Sequence, residues 1–552
     1  MQVILIVLES DIPSAILYAS SLADSDYYTY VFDPKLLDLV VAKNFRNVRI
    51  LAPAGMPDYK SLDRAAQKSA KNDEHHIDEH IRLHENSPSI YSWQNLNFYY
   101  FRIAHLWYSE LWQKFLEEEP TKNTYQLFVC ENPAQYYEPS FLPAILLIEK
   151  LKYKSYDYVA TVYQQPCLEP AVLVEVKSQG IQNTVYELIT HLPTCFYDHE
   201  YINQEIHASG LNTLNIKAYQ WNPKLLAHKH LLVKPLLIEQ LSSERMSIFQ
   251  QLEEIIAQTL EGAIADIRYR KIQAAHLAKI YISQLVNFEH LVNLLRKWPL
   301  KKMILSDHDA GLHGPLIAIA DQLDIEVITF PHAKMSSGEM PWAIGKVMAL
   351  VHPIQAKSPH QKRNSPLKSD FIRYHNTFIA SNTKSESISS IGLILPAMSL
   401  NGVALSDIRA FIDGIKSLNT WSIEHGIEFK IRCKPNNSIF TLISGLLACN
   451  DSLLRKYCEI STSEYIQQID LGILFDCPSS ISIELLNRGV PTVMLRTRTL
   501  SFNESLQHDN TLIPALALGP LRSMLSRLVK NSTKFAEFKK NQVFATTNPF
   551  PL

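Results

Sequence analysis

Residues 470–496 read DLGILFDCPSSISIELLNRGVPTVMLR. Leu471-Gly472-Ile473-Leu474-Phe475 is a short apolar run bounded by polar and turn-forming residues, as expected of a strand buried on both faces of a parallel sheet. Asp476–Ser480 reads as a loop. Ser479 or Ser480 suits the N-cap of a helix over Ile481–Asn487, because a serine hydroxyl accepts a bond from a backbone N–H at a helix start. Gly489 suits a left-handed stop, and Pro491–Leu495 reads as the next buried strand. Strand, serine turn, helix, glycine, strand is a tight βαβ unit. Its helix start, with free N–H groups and two hydroxyls, is suited to a phosphate.

Other stretches repeat the pattern. At the N-terminus, Val3–Leu8, Ile12–Leu22, Tyr28–Phe32 and Val48–Leu51 alternate strand-like and helix-like segments. Tyr125–Cys130, a helix over Pro143–Leu151, and Tyr158–Tyr163 follow. Strands alternating with helices imply an α/β fold with a mostly parallel sheet. The aromatic stripe over residues 96–118 has a helical period and reads as core. The segment 164–240 carries strand-like runs that read as an insertion. Glu244–Trp298 reads as two helices broken near Gly262.

Lys302–Ala333 gives a second βαβ unit: strand Met303–Leu305, polar turn Ser306–Gly314, helix Pro315–Leu323, strand Glu326–Phe330. Its turn collects Asp307, His308, Asp309 and His313 at a strand's C-terminal end, the edge where open α/β sheets bind ligands. These groups read either as acid–base candidates or as caps of the Pro315 helix. Residues 336–388, rich in Lys, Ser and Pro, read as a linker. From Ser389 a further α/β unit runs through strand Ile391–Leu395, helix Asp407–Glu424 and strand Glu428–Cys433 to the βαβ unit at 470–496. Two terminal helical stretches, Asn503–Gln507 and Pro520–Asn541, complete it. The division expected is therefore 1–335, a linker over 336–388, and 389–552.

Composition bounds the function. Fifty-three Lys and Arg stand against 55 Asp and Glu in 552 residues, a net charge of −2, so no general affinity for nucleic acid is expected. The apolar run Val3–Leu8 is cut by Glu9-Ser10-Asp11 and lacks a basic flank, so it reads as a core strand and not a signal or a span. Seven cysteines with no CxxC pair fit a reducing cytoplasm. Peripheral attachment at the inner face of a membrane needs no span. His76, His80 and His84, four residues apart, share one helix face and read as a solvated insertion or, less simply, as metal ligands.

The order of these features resembles the GT-B glycosyltransferases of bacterial surface polysaccharide synthesis. The branch it is most similar to comprises the sialyl-, polysialyl- and Kdo-transferases that use CMP-activated sugars. That branch has a strand ending in His-Pro, a Ser-Ser pair opening a helix, and a Gly-x-Pro strand. Here Lys434-Pro435-Asn436 stands at the first place, Ser479-Ser480 at the second and Gly489-Val490-Pro491 at the third. Pro331-His332-Ala333 is similar to the strand-His-Gly that ends the first half of such proteins.

The resemblance implies two Rossmann-like domains facing a cleft, a nucleotide-sugar donor, a glycan or lipid-linked glycan acceptor, and no metal or other cofactor. A phosphate leaving group needs positive charge or N–H donors. Ser479, Ser480, Arg432, Lys434 and Asn436 are the candidates, with Glu484 for a ribose hydroxyl and His332 lining the cleft. The acceptor hydroxyl of an inverting transfer needs a general base, for which Asp309 or Asp307 is favoured, with His308 and His313 beside them. Two alternatives stand next to this: a CDP-glycerol or CDP-ribitol phosphotransferase, and a degenerate, non-catalytic glycan-binding protein.

Overall fold

The computed structural model describes residues 1–24, 26–57, 59–80, 91–119, 123–131, 139–164, 175–177, 185–191, 206–207, 209–218, 230–234, 239, 241–306, 312–330, 345–350, 369–374, 386–395, 408–433, 439–448, 451–476, 480–497 and 513–542. Their strands form three Rossmann-like sheets, nearly all parallel, so the α/β class read from the sequence holds.

The first sheet uses β1 (Gln2–Ile6), β2 (Tyr27–Val31), β3 (Val48–Ile50), β4 (Thr124–Cys130) and β5 (Tyr158–Tyr163), in the order β3-β2-β1-β4-β5. Its helices are α1 (Ile12–Ala19), α2 (Leu36–Ala42), α3 (Tyr59–His80), α4 (Tyr91–Glu118) and α5 (Leu142–Tyr153). Alternate strand residues point to opposite faces. Val3 and Leu5 enter a core built with α3, α4 and α5, whereas Ile4 and Ile6 enter a different core. The stripe at 96–118 is core as expected: Phe98, Phe101 and Trp112 are fully buried. The polar stretch expected as a surface insertion is instead largely the helix α3, held to α4 by the Arg102–Asp73 ion pair at 2.6 Å.

The second sheet uses β6 (Glu175–Lys177), β7 (Leu188–His191), β8 (Thr213–Ala218), β9 (His230–Lys234), β10 (Lys302–Ser306), β11 (Glu326–Phe330), β12 (Gly345–Leu350) and β13 (Ser369–Tyr374). Their order is β13-β12-β11-β10-β7-β8-β9-β6, with only β6 antiparallel to its neighbour. Helices α6 (Ser243–Thr259) and α7 (Ile267–Leu295) cross from β9 to β10, and α8 (His313–Gln322) joins β10 to β11. The break between α6 and α7 falls around Gly262, as read from the sequence. Two expectations are corrected here. Residues 336–388 are not simply a linker, since they supply β12 and β13. Residues 164–240 are not an insertion, since β7 is the central strand on which the sheet doubles back. The span 1–335 therefore carries one whole sheet and most of a second.

The third sheet uses β14 (Ser390–Ile394), β15 (Glu428–Arg432), β16 (Leu471–Phe475), β17 (Thr492–Leu495) and β18 (Ala515–Leu516), in the order β15-β14-β16-β17-β18. Its helices are α9 (Ile408–His425), α10 (Phe440–Leu447), α11 (Asp451–Glu459), α12 (Thr462–Ile466), α13 (Ser480–Asn487), α14 (Leu518–Lys530) and α15 (Ser532–Asn541). The terminal stretch expected as one helix is two, because Asn531 leaves the helical conformation and its side chain caps α15 through Lys534 N–H at 2.9 Å. All five residues of β16 are buried, as a central parallel strand requires.

The first sheet touches both of the others. Its α3–α5 face shares one apolar core with α6, α7 and α8 of the second sheet. Its α1–α2 face shares another with residues of the third. Two polar contacts orient the first and third sheets. Asp38, in the first turn of α2, accepts from the N–H groups of Phe440 (3.2 Å) and Thr441 (2.8 Å) at the start of α10. Arg409, at the start of α9, donates to the carbonyl of Ala52 just past β3 (3.1 Å) and to Glu118 (3.0 Å). Asp38, Ala52, Arg409 and Phe440 follow the C-terminal ends of β2, β3, β14 and β15, whereas Glu118 ends α4, which leads into β4. The C-terminal side of β2 and β3 therefore meets that of β14 and β15 through the Asp38 and Ala52 contacts. Among the described residues no helix is long and apolar enough to cross a membrane.

Candidate active site

In the third sheet the chain passes from β14 to β15 on one side and then to β16 on the other. The strand order reverses between β14 and β16, and ligands of open α/β sheets bind at such a switch point. Helix α13 starts there, directly after β16. Its first N–H groups have no intrahelical acceptor and carry the positive end of the helix dipole.

The helix sits close on the sheet because Gly472 has no side chain. A Cβ at Gly472 would lie 2.7 Å from Leu485 Cδ1. Leu485 is fully buried. Gly489, at φ 69°, ends the helix in the left-handed conformation expected of it, and Val490 N–H returns to the carbonyl of Leu485 at 2.9 Å.

Asp476 closes the end of β16. It takes φ 53°, a conformation that costs a non-glycine residue on the order of 1 kcal/mol or more. Its buried carboxylate accepts from Thr497 N–H (2.6 Å) and from the Thr497 hydroxyl, while its own N–H reaches the carbonyl of Leu495 at 2.8 Å. One side chain thus fixes the ends of β16 and β17 where the α13 turn departs.

The residues read from the sequence as donor contacts divide. Ser480 is the first residue of α13, and Glu484 lies one turn further on, half-buried. Arg432 is the last residue of β15, but its guanidinium is committed elsewhere. Nη1 donates to the carbonyls of Tyr457 (2.6 Å) and Ile460 (2.9 Å), and Nη2 lies 3.4 Å from Thr462 Oγ1. The Arg432 guanidinium thus caps the end of α11. Lys434, Asn436, Ser479 and His332 lie outside the described residues. So do Asp307, His308 and Asp309, which follow β10 of the second sheet; His313 is the first residue of α8.

The C-terminal edge of the first sheet holds groups that sequence reading missed. The first sheet's order reverses between β1 and β4. Just past β1, Asp11 is fully buried and accepts from the N–H groups of Val7 (2.9 Å) and Leu8 (2.8 Å) and from the Tyr163 hydroxyl (2.7 Å). Burial pushes its carboxyl up to about 6 against those three donors. Just past β4, buried Glu131 pairs with Arg268 of α7 at 2.6 Å through one oxygen; the other has no hydrogen-bond partner among the described residues. The available signal was an acidic residue soon after each buried strand, Glu131 directly after β4 and Asp11 five residues past β1. Glu9-Ser10-Asp11 served only to end an apolar run.

On α3, the His76 and His80 rings lie 4.3 Å apart, with His80 Nδ1 2.7 Å from the carbonyl of His76; His84 lies outside the described residues. Among the described residues no group of three His, Cys, Asp or Glu side chains is arranged to hold a metal ion.

No protein-family model and no curated protein matches the chain. Solved structures to which it is similar include MurG of Acinetobacter baumannii, at 11% identity and TM-score 0.37 over 66% of this chain and 96% of that one. The SsfS6 glycosyltransferase of Streptomyces sp. SF2575 aligns at 10% and 0.32 over 65% and 95%. Os79 of O. sativa, solved with UDP, aligns at 10% and 0.34 over 64% and 93%.

Proposed function

We propose that the chain is a GT-B glycosyltransferase that moves a sugar from a nucleotide-activated donor to a glycan acceptor. The observation that carries this reading is the contact between the C-terminal sides of two parallel sheets, at Asp38 and Ala52, with α13 starting at the switch point of the third. The donor phosphate would sit against the first N–H groups of α13, where a fixed dipole favours the charge that develops as the phosphate leaves. Ser479, Ser480, Lys434 and Asn436 would complete the site, and Glu484 would take a ribose hydroxyl. With Arg432 committed to α11, the backbone N–H groups and Lys434 supply the positive character.

The finer reading is a CMP donor carrying a nonulosonic acid or Kdo, with a surface glycan or its lipid-linked precursor as acceptor, at the inner face of the cytoplasmic membrane. It rests on the Ser-Ser and Gly-x-Pro spacing. No metal is assigned, since N–H groups and a lysine can neutralise the leaving phosphate. Asp309 or Asp307 is assigned the general base, with His308 and His313 as neighbours and His332 lining the cleft. Glu131 is the competing carboxylate, because it stands on the C-terminal edge of the sheet that meets α13's sheet.

A radiolabelled transfer assay decides among these. Loss of transfer in Asp309→Ala with retention in Glu131→Gln supports the assignment; the reverse result moves the base to the first sheet. A product joined through a phosphodiester would identify a CDP-glycerol or CDP-ribitol phosphotransferase. Nucleotide binding with neither transfer nor donor hydrolysis would identify a degenerate, non-catalytic protein, a reading favoured by the commitment of Arg432 to backbone carbonyls.

A further inference from the structure

Cys433 directly follows β15, and Cys458 lies in the last turn of α11. Both are buried, at 4% and 2% exposure. Their sulfurs are 3.3 Å apart, and Cys433 N–H points at the Cys458 sulfur at 3.4 Å. Arg432 holds this geometry, because its bonds to Tyr457 and Ile460 pin the residues flanking Cys458 to the end of the strand. Arg455 of the same helix lies 4.4 Å over the ring of Phe440, which fixes α11 against α10. The two thiols are thus presented to each other by two rigid elements, and Cys433 is the residue from which the chain enters 434–438, with Lys434 and Asn436.

We propose that Cys433 and Cys458 form a reversible disulfide that shifts the end of β15 against α11 and thereby weakens nucleotide binding at the donor site. The second half of this inference rests on the donor-site reading given above. A disulfide needs an S–S distance of ~2.05 Å, so closure asks for about 1.3 Å of movement shared between two side chains. Either thiol can donate across the 3.3 Å contact, but the Cys433 N–H directed at the Cys458 sulfur and the nearby Arg432 charge both favour the thiolate at Cys458. Cys458 is therefore the nucleophile, since the thiolate is the reactive form.

With a hydroperoxide as oxidant, the Cys458 thiolate attacks one peroxide oxygen and the O–O bond breaks. A sulfenic acid forms and hydroxide or alkoxide leaves. The Cys433 sulfur then attacks the Cys458 sulfur. The S–O bond breaks, and hydroxide departs with the Cys433 proton as water. Two thiols lose two electrons, and the peroxide takes them. With oxidised glutathione as oxidant, the Cys458 thiolate attacks one of its sulfurs and one glutathione thiolate leaves; Cys433 then attacks Cys458 of the mixed disulfide and releases the second glutathione, and a dithiol reverses either reaction.

The test uses the full chain. Reduced protein is treated with hydrogen peroxide, alkylated and digested, and the peptides are mapped. CMP affinity is measured by titration calorimetry on the reduced, oxidised and re-reduced protein, and on peroxide-treated Cys458→Ser. Expected is a peptide linking Cys433 to Cys458, lost on reduction, with CMP bound about tenfold or more weakly in the linked form, since displacements near 1 Å disable a preorganised site. Absence of that peptide while other cysteines oxidise overturns the disulfide. A linked peptide with unchanged affinity, or the same loss of affinity in Cys458→Ser, overturns the control of the donor site. If the reduced protein binds no nucleotide, the donor reading fails, and the linked peptide still decides the disulfide.

Discussion

Replacing Gly472 by alanine tests how α13 is seated. The new Cβ would stand 2.7 Å from Leu485 Cδ1 and 3.5 Å from both Leu485 Cδ2 and Thr492 Oγ1. Leu485 is fully buried among Ile481, Leu486 and Val490, so it has little room to turn away. Either the Leu485 side chain repacks within its buried cluster or α13 lifts from β16. Overpacking of this kind costs about 1–3 kcal/mol. Leu485→Ala alone leaves a cavity and costs about 2–5 kcal/mol. In the double variant the added Cβ partly fills that cavity, so its cost should fall short of the sum by about 1 kcal/mol or more. Hydrogen exchange of the α13 amides reads this locally. Opening of the helix should rise about 5- to 150-fold in Gly472→Ala, since 1.4 kcal/mol is a factor of ten. A neutral Gly472→Ala, or strict additivity in the double variant, would refute the close seating of α13 on the strand.

Other outcomes follow from the same structure. Asp38→Ala frees two N–H groups at the start of α10 and should cost about 1 kcal/mol, with Asp38→Asn intermediate; an unchanged thermal midpoint in both would show that this contact does not hold the two sheets. Folding raises the Asp11 carboxyl from 3.8 to about 6, so the native state binds that proton more tightly than the unfolded chain. The stability it contributes is present below pH ~4 and is lost as pH rises through ~6, up to about 3 kcal/mol. Asp11→Asn should therefore flatten the fall in urea midpoint between those pH values, and an identical slope in both proteins would argue against it. Arg432→Ala strips charged donors from two carbonyls and should cost about 1.5–3 kcal/mol. Its CMP affinity, measured where the variant is folded, should stay near that of the wild type; a selective loss of CMP binding would return Arg432 to the donor site.

What could be read from the sequence follows the range of the forces involved. Leu471–Phe475 and Glu326–Phe330 are strands at the residues expected, because a buried parallel strand must be continuously apolar. Gly489 takes positive φ because the helix stop demands it. By contrast β7, with Leu188, Ile189, Thr190 and His191, is too short for its pattern to mark it as the centre of a sheet. The strands β12 and β13 lie within a Lys- and Ser-rich stretch that masks them.

Long-range placement was less legible still. An arginine at the end of a strand has the same sequence whether it meets a phosphate or, as Arg432 does, the carbonyls of Tyr457 and Ile460. Asp38 is an ordinary helix carboxylate until the fold brings α10 to it from four hundred residues away. The unit proposed to hold the donor was legible because Ser480, Gly489 and β16 lie within one βαβ unit. The placement of Asp11 and Glu131 past β1 and β4 of one sheet depends on strands more than a hundred residues apart.

The central claim is that a nucleotide binds where α13 leaves β16. Hydrogen–deuterium exchange of the full chain, with and without saturating CMP, tests it most directly. Expected is protection of residues 434–438 and 476–484, weakened in Gly472→Ala, with no comparable effect at residues 302–330. Protection confined to 302–330, or no protection with CMP, CDP, UDP or GDP, would contradict it.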